Sequence, residues 1–111
     1  MPRRGFTFTT GCYYHLYNRG ANRQTIFANQ NNYYFSIGLM QHYRQLFNIT
    51  VVAYCHMPNH YHWLVRQDGE APARLLPQRV WKAYSNAFNN TNRRSGSLFE
   101  GRYCAIPVTD D

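Results

Sequence analysis

A β-hairpin pattern in the middle of the chain is the feature that most constrains its fold. Residues 49–57, ITVVAYCHM, are rich in β-branched and aromatic side chains, and residues 60–67, HYHWLVRQ, form a second run of this kind. Pro58 and Asn59 lie between the two runs and supply turn chemistry. The pattern therefore predicts two neighbouring antiparallel strands joined by a tight turn.

The residues before the hairpin predict a strand, a basic loop and a helix. CYYHLYN, residues 12–18, is rich in β-formers and runs into the loop sequence NRGANRQ. Asn29 can cap a helix that we place at residues 30–46.

The residues after the hairpin predict a second helix and a last strand. DGEAP, residues 68–72, is a linker, and apolar residues beyond it recur every four positions at Leu76, Val80, Tyr84 and Phe88. We start this helix near Leu76, with Pro77 in its first turn, where a missing N–H does no harm. LFEGRYCAIPV then reads as a strand interrupted by Gly101.

The order of these elements is β-α-β-β-α-β, which is typical of ferredoxin-like folds. We therefore predict an α+β fold in which one antiparallel sheet carries two helices on one face, and the other face stays open. At 111 residues the chain is long enough for one such domain, residues 1–111.

Composition points to a polyanionic partner. Twelve Lys and Arg residues against five Asp and Glu give a formal net charge of +7, and eleven of the twelve basic residues are arginine. Arginine suits phosphates and base edges, and aromatic residues make up 17% of the chain. Three widely spaced cysteines exclude a disulfide framework, and no signal peptide or membrane span is present, so we expect a cytoplasmic protein.

His60 and His62 are the candidate site residues of the hairpin. Strand side chains alternate, so the two imidazoles share the face opposite Tyr61, Trp63 and Val65. If that second set faces the helices, the histidines lie on the open face, one pleat apart, where they can share a cation. A pair of solvated histidines gives the same spacing, and the spacing alone does not decide between the two.

Several stretches resemble, in the same order, the HUH single-tyrosine transposases of the insertion-sequence-200 type, and most closely their REP-associated branch. The matching stretches are YHLYNRGANRQTIF, VVAYCHMPNHYHWLV, VWKAYSNAFNN and SGSLFEGRY. The segment MPNHYHWLV is the most specific, because it matches that branch's M-P-N-H-x-H motif followed by aliphatic residues.

The resemblance implies an enzyme that cleaves and rejoins single-stranded DNA next to a hairpin through a 5′-phosphotyrosine. It implies that His60 and His62 hold a divalent ion, Mg²⁺ or Mn²⁺, which polarises the scissile phosphate. It also implies a homodimer.

One part of the family pattern is not found in this sequence. The family's nucleophilic tyrosine and its third metal ligand, a Gln or Asn, lie on a later helix, and this chain ends at Asp111 before such a segment. We therefore expect a C-terminally truncated chain that is inactive by itself. A catalytically inactive module that binds hairpins or single strands is the alternative. A small metal-dependent hydrolase is a third, weaker hypothesis, because no carboxylate lies near His60 or His62 in sequence.

Five arginines are the candidate DNA contacts: Arg19, Arg23, Arg93, Arg94 and Arg102. Each of them lies in or beside a predicted loop, where a solvated side chain is the alternative. Glu100 and Arg102 form a structural ion pair or line the DNA groove.

The remaining residues are predicted to be structural. We expect Tyr84 to pack in the core and not to act as the nucleophile. We expect His15, if it points inward on the first strand, to be a hydrogen-bonded strand residue and not a ligand. We expect His42 to be on the surface, and His56 either supports the metal ligands or has no role. Cys55 and Cys104 are predicted to be small buried hydrophobic residues.

Overall fold

Four antiparallel strands form one sheet in the order β2-β3-β1-β4. The computed structural model describes residues 5–109. Its elements in chain order are β1 (Tyr13–Arg19), a short 3-10 helix (Ala21–Arg23), α1 (Gln30–Leu46), β2 (Ile49–Met57), β3 (His60–Gln67), α2 (Leu75–Thr91) and β4 (Cys104–Val108). The predicted α+β, ferredoxin-like architecture is confirmed, because β3 returns from the hairpin to lie between β2 and β1.

Aromatic rings fill the space between the sheet and the helices. Tyr61, Trp63 and Val65 alternate along β3 and are at most 1% exposed. The indole of Trp81 on α2 lies 4.4 Å from the ring of Tyr61 and 5.4 Å from that of Trp63, measured between centroids. The helices therefore cover the face of β3 opposite His60 and His62, as the alternation predicted.

Local sequence accounts for where the helices begin. The side chain of Asn29 accepts a hydrogen bond from the backbone N–H of Asn32, whose own side chain accepts one from Asn29 in return. This capping box satisfies two N–H groups that have no partner within the helix. α2 begins at Leu75, one residue before the predicted start, and Pro77 lies in its first turn.

A β-bulge between Val51 and Ala53 changes which side chains of β2 face the helices. Before it, Val51 pairs with the buried Val65, and beyond it Cys55 pairs with His62 on the open face. The prediction that Cys55 is buried is therefore wrong, because the extra residue shifts the alternation by one position. Cys55 is exposed in the structure.

The last predicted strand is split into two parts. Phe99 forms an isolated bridge with Gly20, and regular pairing resumes only at Cys104, which lies opposite Tyr17. Gly101 lies between them with a φ of 65°, a conformation that glycine adopts at little cost. The prediction that Cys104 is buried is also wrong, since β4 is an edge strand and Cys104 is exposed on the open face.

Within residues 5–109, no helix is both long enough and apolar enough to span a membrane.

Candidate functional site

The register of the sheet brings the two candidate histidines next to residues of β1. Arg19 pairs with His60, and Tyr17 pairs with His62. Residues paired in this way project to the same face of the sheet. The rings of His60 and His62 lie 5.2 Å apart at an interplanar angle of 84°. The open face therefore presents both imidazoles beside an arginine and a tyrosine.

Neighbouring side chains hold both imidazole rings. The Nδ1 of His60 lies 2.8 Å from the side-chain oxygen of Asn59. An oxygen accepts, so Nδ1 of His60 donates in this contact, and Nε2 is the ring nitrogen left to bind a metal ion. The Nδ1 of His62 lies 3.0 Å from the Nε2 of His15. When His62 donates in this contact, its Nε2 also keeps a lone pair, which is the arrangement found in metal-binding histidines.

The surroundings of His62 favour its neutral form. Burial, and to a lesser extent the nearby imidazoles of His15 and His60, lowers the pKa of His62 below its ordinary value of 6.5. An imidazole must be neutral to bind a metal ion. His62 is therefore in the metal-binding form at neutral pH.

The two histidines lie in a groove of about 640 Å³ at the end of the sheet. It is lined by Tyr17, Asn18, Arg19, Arg23, Asn59, His60, His62, Glu100, Arg102 and Cys104. Three of the five candidate arginines, Arg19, Arg23 and Arg102, thus lie around the histidine pair. The groove combines positive charge with two imidazole nitrogen ligands, which suits a phosphate and a cation together.

Glu100 brings a carboxylate into this groove. It forms an ion pair with Arg19, whereas the sequence suggested Arg102 as its partner. The backbone N–H of Glu100 also donates to the carbonyl of Arg19, 2.8 Å away, which places the two residues side by side. No carboxylate lies near the histidines in sequence, and only the return of the chain toward β4 brings this one close.

Arg93 and Arg94 do not line the groove. The guanidinium of Arg94 donates to the side-chain oxygens of Asn89, at 2.6 Å, and Gln24, at 2.8 Å, and it lies over the ring of Phe88. These contacts tie the loop after α2 to the loop after β1. Arg94 is therefore a structural residue in this arrangement, while Arg93 is exposed on the same loop.

Tyr84 is a core residue, as predicted. It is 1% exposed, and its hydroxyl donates to the carbonyl of Ile26. Burial raises its pKa, so the phenolate that would attack a phosphate is disfavoured. Tyr84 is not placed to act as a nucleophile.

Tyr17 is a groove residue that sequence reasoning missed. Its ring stacks on that of His62, with centroids 5.5 Å apart and an interplanar angle of 19°. A hydrogen bond with Cys104 raises the pKa of Tyr17. The signal that could have revealed it is the alternation of His15, Tyr17 and Arg19 along one face of β1.

His42 and His56 lie away from the pair. His42 is exposed on α1, as predicted. His56 faces the helices, where its Nε2 accepts from the indole N–H of Trp63 at 2.9 Å and its Nδ1 contacts the hydroxyl of Ser36 at 3.2 Å. It therefore supports the core and does not contact the metal-ligand candidates.

The donor set fits part of a metal site. His60 and His62 supply two nitrogen ligands on one face, each held through its other ring nitrogen. In the part of the chain that the structure describes, no cluster of three or more His, Cys, Asp or Glu residues has the geometry of a metal site. The pair can therefore provide two ligands, and others must complete the coordination.

Comparisons with known proteins indicate the family and the fold of this chain. The family model described as "Transposase IS200 like" matches residues 8–111. No curated protein gives a significant sequence match.

Two solved structures share the fold. The structure of a REP-associated tyrosine transposase bound to a REP hairpin is 12% identical, with a TM-score of 0.77; the match covers 100% of this chain and 64% of that one. A transposase-like protein from Deinococcus radiodurans R1 is 17% identical, with a TM-score of 0.68 and coverage of 99% and 87%. This chain thus spans about two thirds of the first protein's length. At such identities the structural likeness shows the fold, and the family match over nearly the whole sequence shows that this chain belongs to the IS200-like transposase family.

Proposed function

We propose that this domain binds single-stranded or hairpin DNA and holds a divalent metal ion with His60 and His62. In the full-length protein, we propose, it cleaves and rejoins single-stranded DNA next to a hairpin through a 5′-phosphotyrosine. The observation that carries the proposal is the meeting of these two histidines with Arg19, Arg23 and Arg102 in one groove.

The charge of the groove supports a DNA ligand. Arginine forks bind phosphate oxygens in pairs, and three of them surround the position where a phosphate would meet the metal ligands. The chain as a whole carries a net charge of +7, which draws polyanions to it at low salt. The structurally similar REP-associated transposase is itself bound to a REP hairpin, and we extend that ligand class to this chain.

The metal role rests on the histidine pair. A bound Mg²⁺ or Mn²⁺ would supply Lewis-acid polarisation of the scissile phosphate. Asn59 and His15 orient the two imidazoles through their Nδ1 atoms, and Arg19 and Arg23 in the same groove would bind the phosphate backbone. The chain's own residues would thus position a phosphate beside the ion that the two histidines hold.

DNA binding without cleavage is the second candidate function, and the tyrosines favour it for this chain alone. Within residues 5–109, Tyr17 is the tyrosine that lines the groove, and its hydroxyl is held by Cys104 with a raised pKa. A phenol in this state is a poor nucleophile. Tyr17 is therefore not proposed as the nucleophile of the covalent step.

Two further properties belong to the proposal. The family resemblance implies a homodimer, and the edge strand β2, with Val52 and Tyr54 about half exposed, offers a surface for pairing with a second copy.

The three cysteines are free and exposed, as is usual in a reducing compartment, which supports a cytoplasmic location.

A labelled hairpin oligonucleotide with a single-stranded extension tests the proposal. This chain and the full-length protein are each incubated with the oligonucleotide and Mn²⁺, then analysed on native and denaturing gels. We expect both to bind, and the full-length protein alone to form a covalent adduct that survives denaturation. Binding by both without any adduct would favour the binding module, and failure of both to bind would contradict the proposed function.

A further inference from the structure

The open face of the sheet continues beyond the groove that holds the histidine pair. Paired residues of β3, β1 and β4 project from this face in successive rows: His62, Tyr17 and Cys104; Leu64, His15 and Ile106; and Arg66, Tyr13 and Val108. The first row lines the groove. Successive rows are about 6.7 Å apart along the strands, so the third row lies about 13 Å from the first. One surface therefore leads from the groove to Tyr13 on the same side of the sheet.

The third row is open to solvent. Tyr13 is 38% exposed and Val108 beside it is 48% exposed, whereas Tyr14, the next residue of β1, is buried on the helix side. Ile106 in the second row is also 48% exposed. These side chains therefore present an aromatic ring and apolar groups that a ligand on the open face can reach.

Arg66 adds a flat cationic group to the third row. Its guanidinium lies over the ring of Tyr13, 6.0 Å from the centroid, and its side chain is 40% exposed. Nε donates to Asp68 at 2.5 Å and Nη2 donates to Thr50 at 3.1 Å, so the group is held in place before any ligand binds. Because Asp68 balances the charge of Arg66, this row offers surfaces for stacking and leaves the binding of phosphates to the groove.

The charge along the open face suits a nucleic-acid strand. None of the side chains in the three rows is acidic, and Arg19, Arg23 and Arg102 line the groove at one end. A strand with a phosphate beside these arginines can continue over His15 to Tyr13, because a few unpaired nucleotides span the two rows between them.

We propose that the third row binds one unpaired base of the DNA strand whose phosphate lies in the groove. The base stacks on the ring of Tyr13 and the guanidinium plane of Arg66, and it contacts the apolar side chain of Val108. The strand is then held at two points, so the stacking site sets which nucleotide lies beside the histidine pair. This inference rests on the proposed DNA-binding function and adds a base-stacking site to it.

An abasic scan tests the stacking site. A hairpin oligonucleotide carries a single-stranded extension in which one nucleotide at a time lacks its base, and its binding to the wild-type chain is measured by fluorescence anisotropy. We expect the missing base to weaken binding about tenfold at one position of the extension, because stacking is lost there.

Tyrosine variants connect that position to Tyr13. Tyr13→Thr removes the ring and keeps a residue that favours strands, so the intact oligonucleotide should bind about tenfold more weakly, and the missing base should cause no further loss. Tyr13→Phe keeps the ring and should behave like the wild type. Tyr34→Thr makes the same change at an exposed tyrosine of α1, on the helix-covered side, and should leave the scan unchanged.

Circular dichroism checks that Tyr13→Thr is folded. If it is not, the exposed Val108→Glu in the same row replaces it. Its carboxylate repels the strand at this row, so the effect of the missing base should again disappear.

The outcomes separate this inference from the function on which it rests. If the hairpin binds but the effect of the missing base survives Tyr13→Thr in the folded protein, the stacking site is wrong and the DNA-binding function stands. The site is also wrong if Tyr13→Thr leaves the scan unchanged and turns a dimer into a monomer in analytical ultracentrifugation, because the face is then an interface between copies. If the wild-type chain binds no hairpin at all, both the function and the stacking site are overturned.

Discussion

His15 and His62 lie on adjacent strands with 3.0 Å between the Nε2 of one and the Nδ1 of the other. Their rings are nearly parallel, with an interplanar angle of 22°. This contact fixes the orientation of the His62 ring about its Cβ–Cγ bond. Because it uses Nδ1, Nε2 is left to bind a metal ion. His15 is thus a positioning residue for the proposed site.

Loss of this contact should weaken metal binding. We expect His15→Ala to lower the Mn²⁺ affinity of the chain by about 10- to 100-fold, as other losses of such supporting contacts do. Isothermal titration with Mn²⁺ measures the change, and His15→Gln should restore part of it, because its amide can still accept from His62. The control is His42→Ala on the exposed face of α1. Equal Mn²⁺ affinity in His15→Ala and the wild type would contradict the role of His15.

The ion pair between Arg19 and Glu100 should oppose DNA binding. Their side chains are 54% and 49% exposed, so the pair contributes little to stability, and a phosphate can replace the carboxylate. We expect Glu100→Gln to raise the affinity for hairpin DNA about two- to fivefold, measured by fluorescence anisotropy. Glu70→Gln removes the same charge from an exposed residue outside the groove. The prediction fails if both variants gain the same affinity for hairpin DNA, or if Glu100→Gln binds hairpin DNA more weakly than the wild type.

Bound DNA should protect the thiol in the groove from alkylation. Cys104 lines the groove, whereas Cys12 is exposed and does not. In the free protein both should react with an alkylating reagent, and saturating hairpin DNA should slow the modification of Cys104 but not of Cys12. Peptide mass spectrometry gives the rate for each residue. Equal rates for Cys104 with and without DNA would place the DNA elsewhere.

His56 should make the fold sensitive to moderate acid. Burial lowers its pKa from 6.5 to about 4, because the charged form would have to lie beneath the helices. A folded-state pKa below the unfolded value means that stability is complete above pH 6.5 and is lost as the pH falls toward 4. The free energy of unfolding should fall by about 3 kcal/mol between pH 6.5 and pH 4.

Urea denaturation across this pH range measures the loss. His62, whose pKa is also lowered, contributes in the same direction. Asp68 acts only at lower pH, because its ordinary pKa is 3.8 and its bond with Arg66 lowers it further. His56→Gln should flatten the pH dependence, although it lowers stability at neutral pH. An unchanged slope in this variant would show that His56 is not the group responsible.

Much of the fold follows from local patterns. Asn29 marks the start of α1, Pro58 and Asn59 form the hairpin turn, and the alternation of β3 gives the faces of Tyr61 and His62. These features depend on residues near one another in sequence, so a reading along the chain can find them.

Other features depend on pairing between strands that are far apart in sequence, and local patterns did not predict them. The bulge at Val51 and Ala53 turns Cys55 outward, and the two-part return of the chain to β4 brings Glu100 to Arg19. Tyr17 becomes a groove residue only because β1 pairs with both β3 and β4. The histidine pair was found from sequence, whereas its surroundings were set by the register of the sheet.

Isothermal titration of the wild-type chain and of His60→Ala/His62→Ala with Mn²⁺ tests whether the two histidines hold the metal ion, with hairpin-DNA affinity measured on the same samples. We expect the double variant to lose Mn²⁺ binding while its DNA affinity stays within a few fold, because the arginines of the groove remain. Unchanged Mn²⁺ binding in the folded double variant would contradict the assignment of the metal ion to His60 and His62.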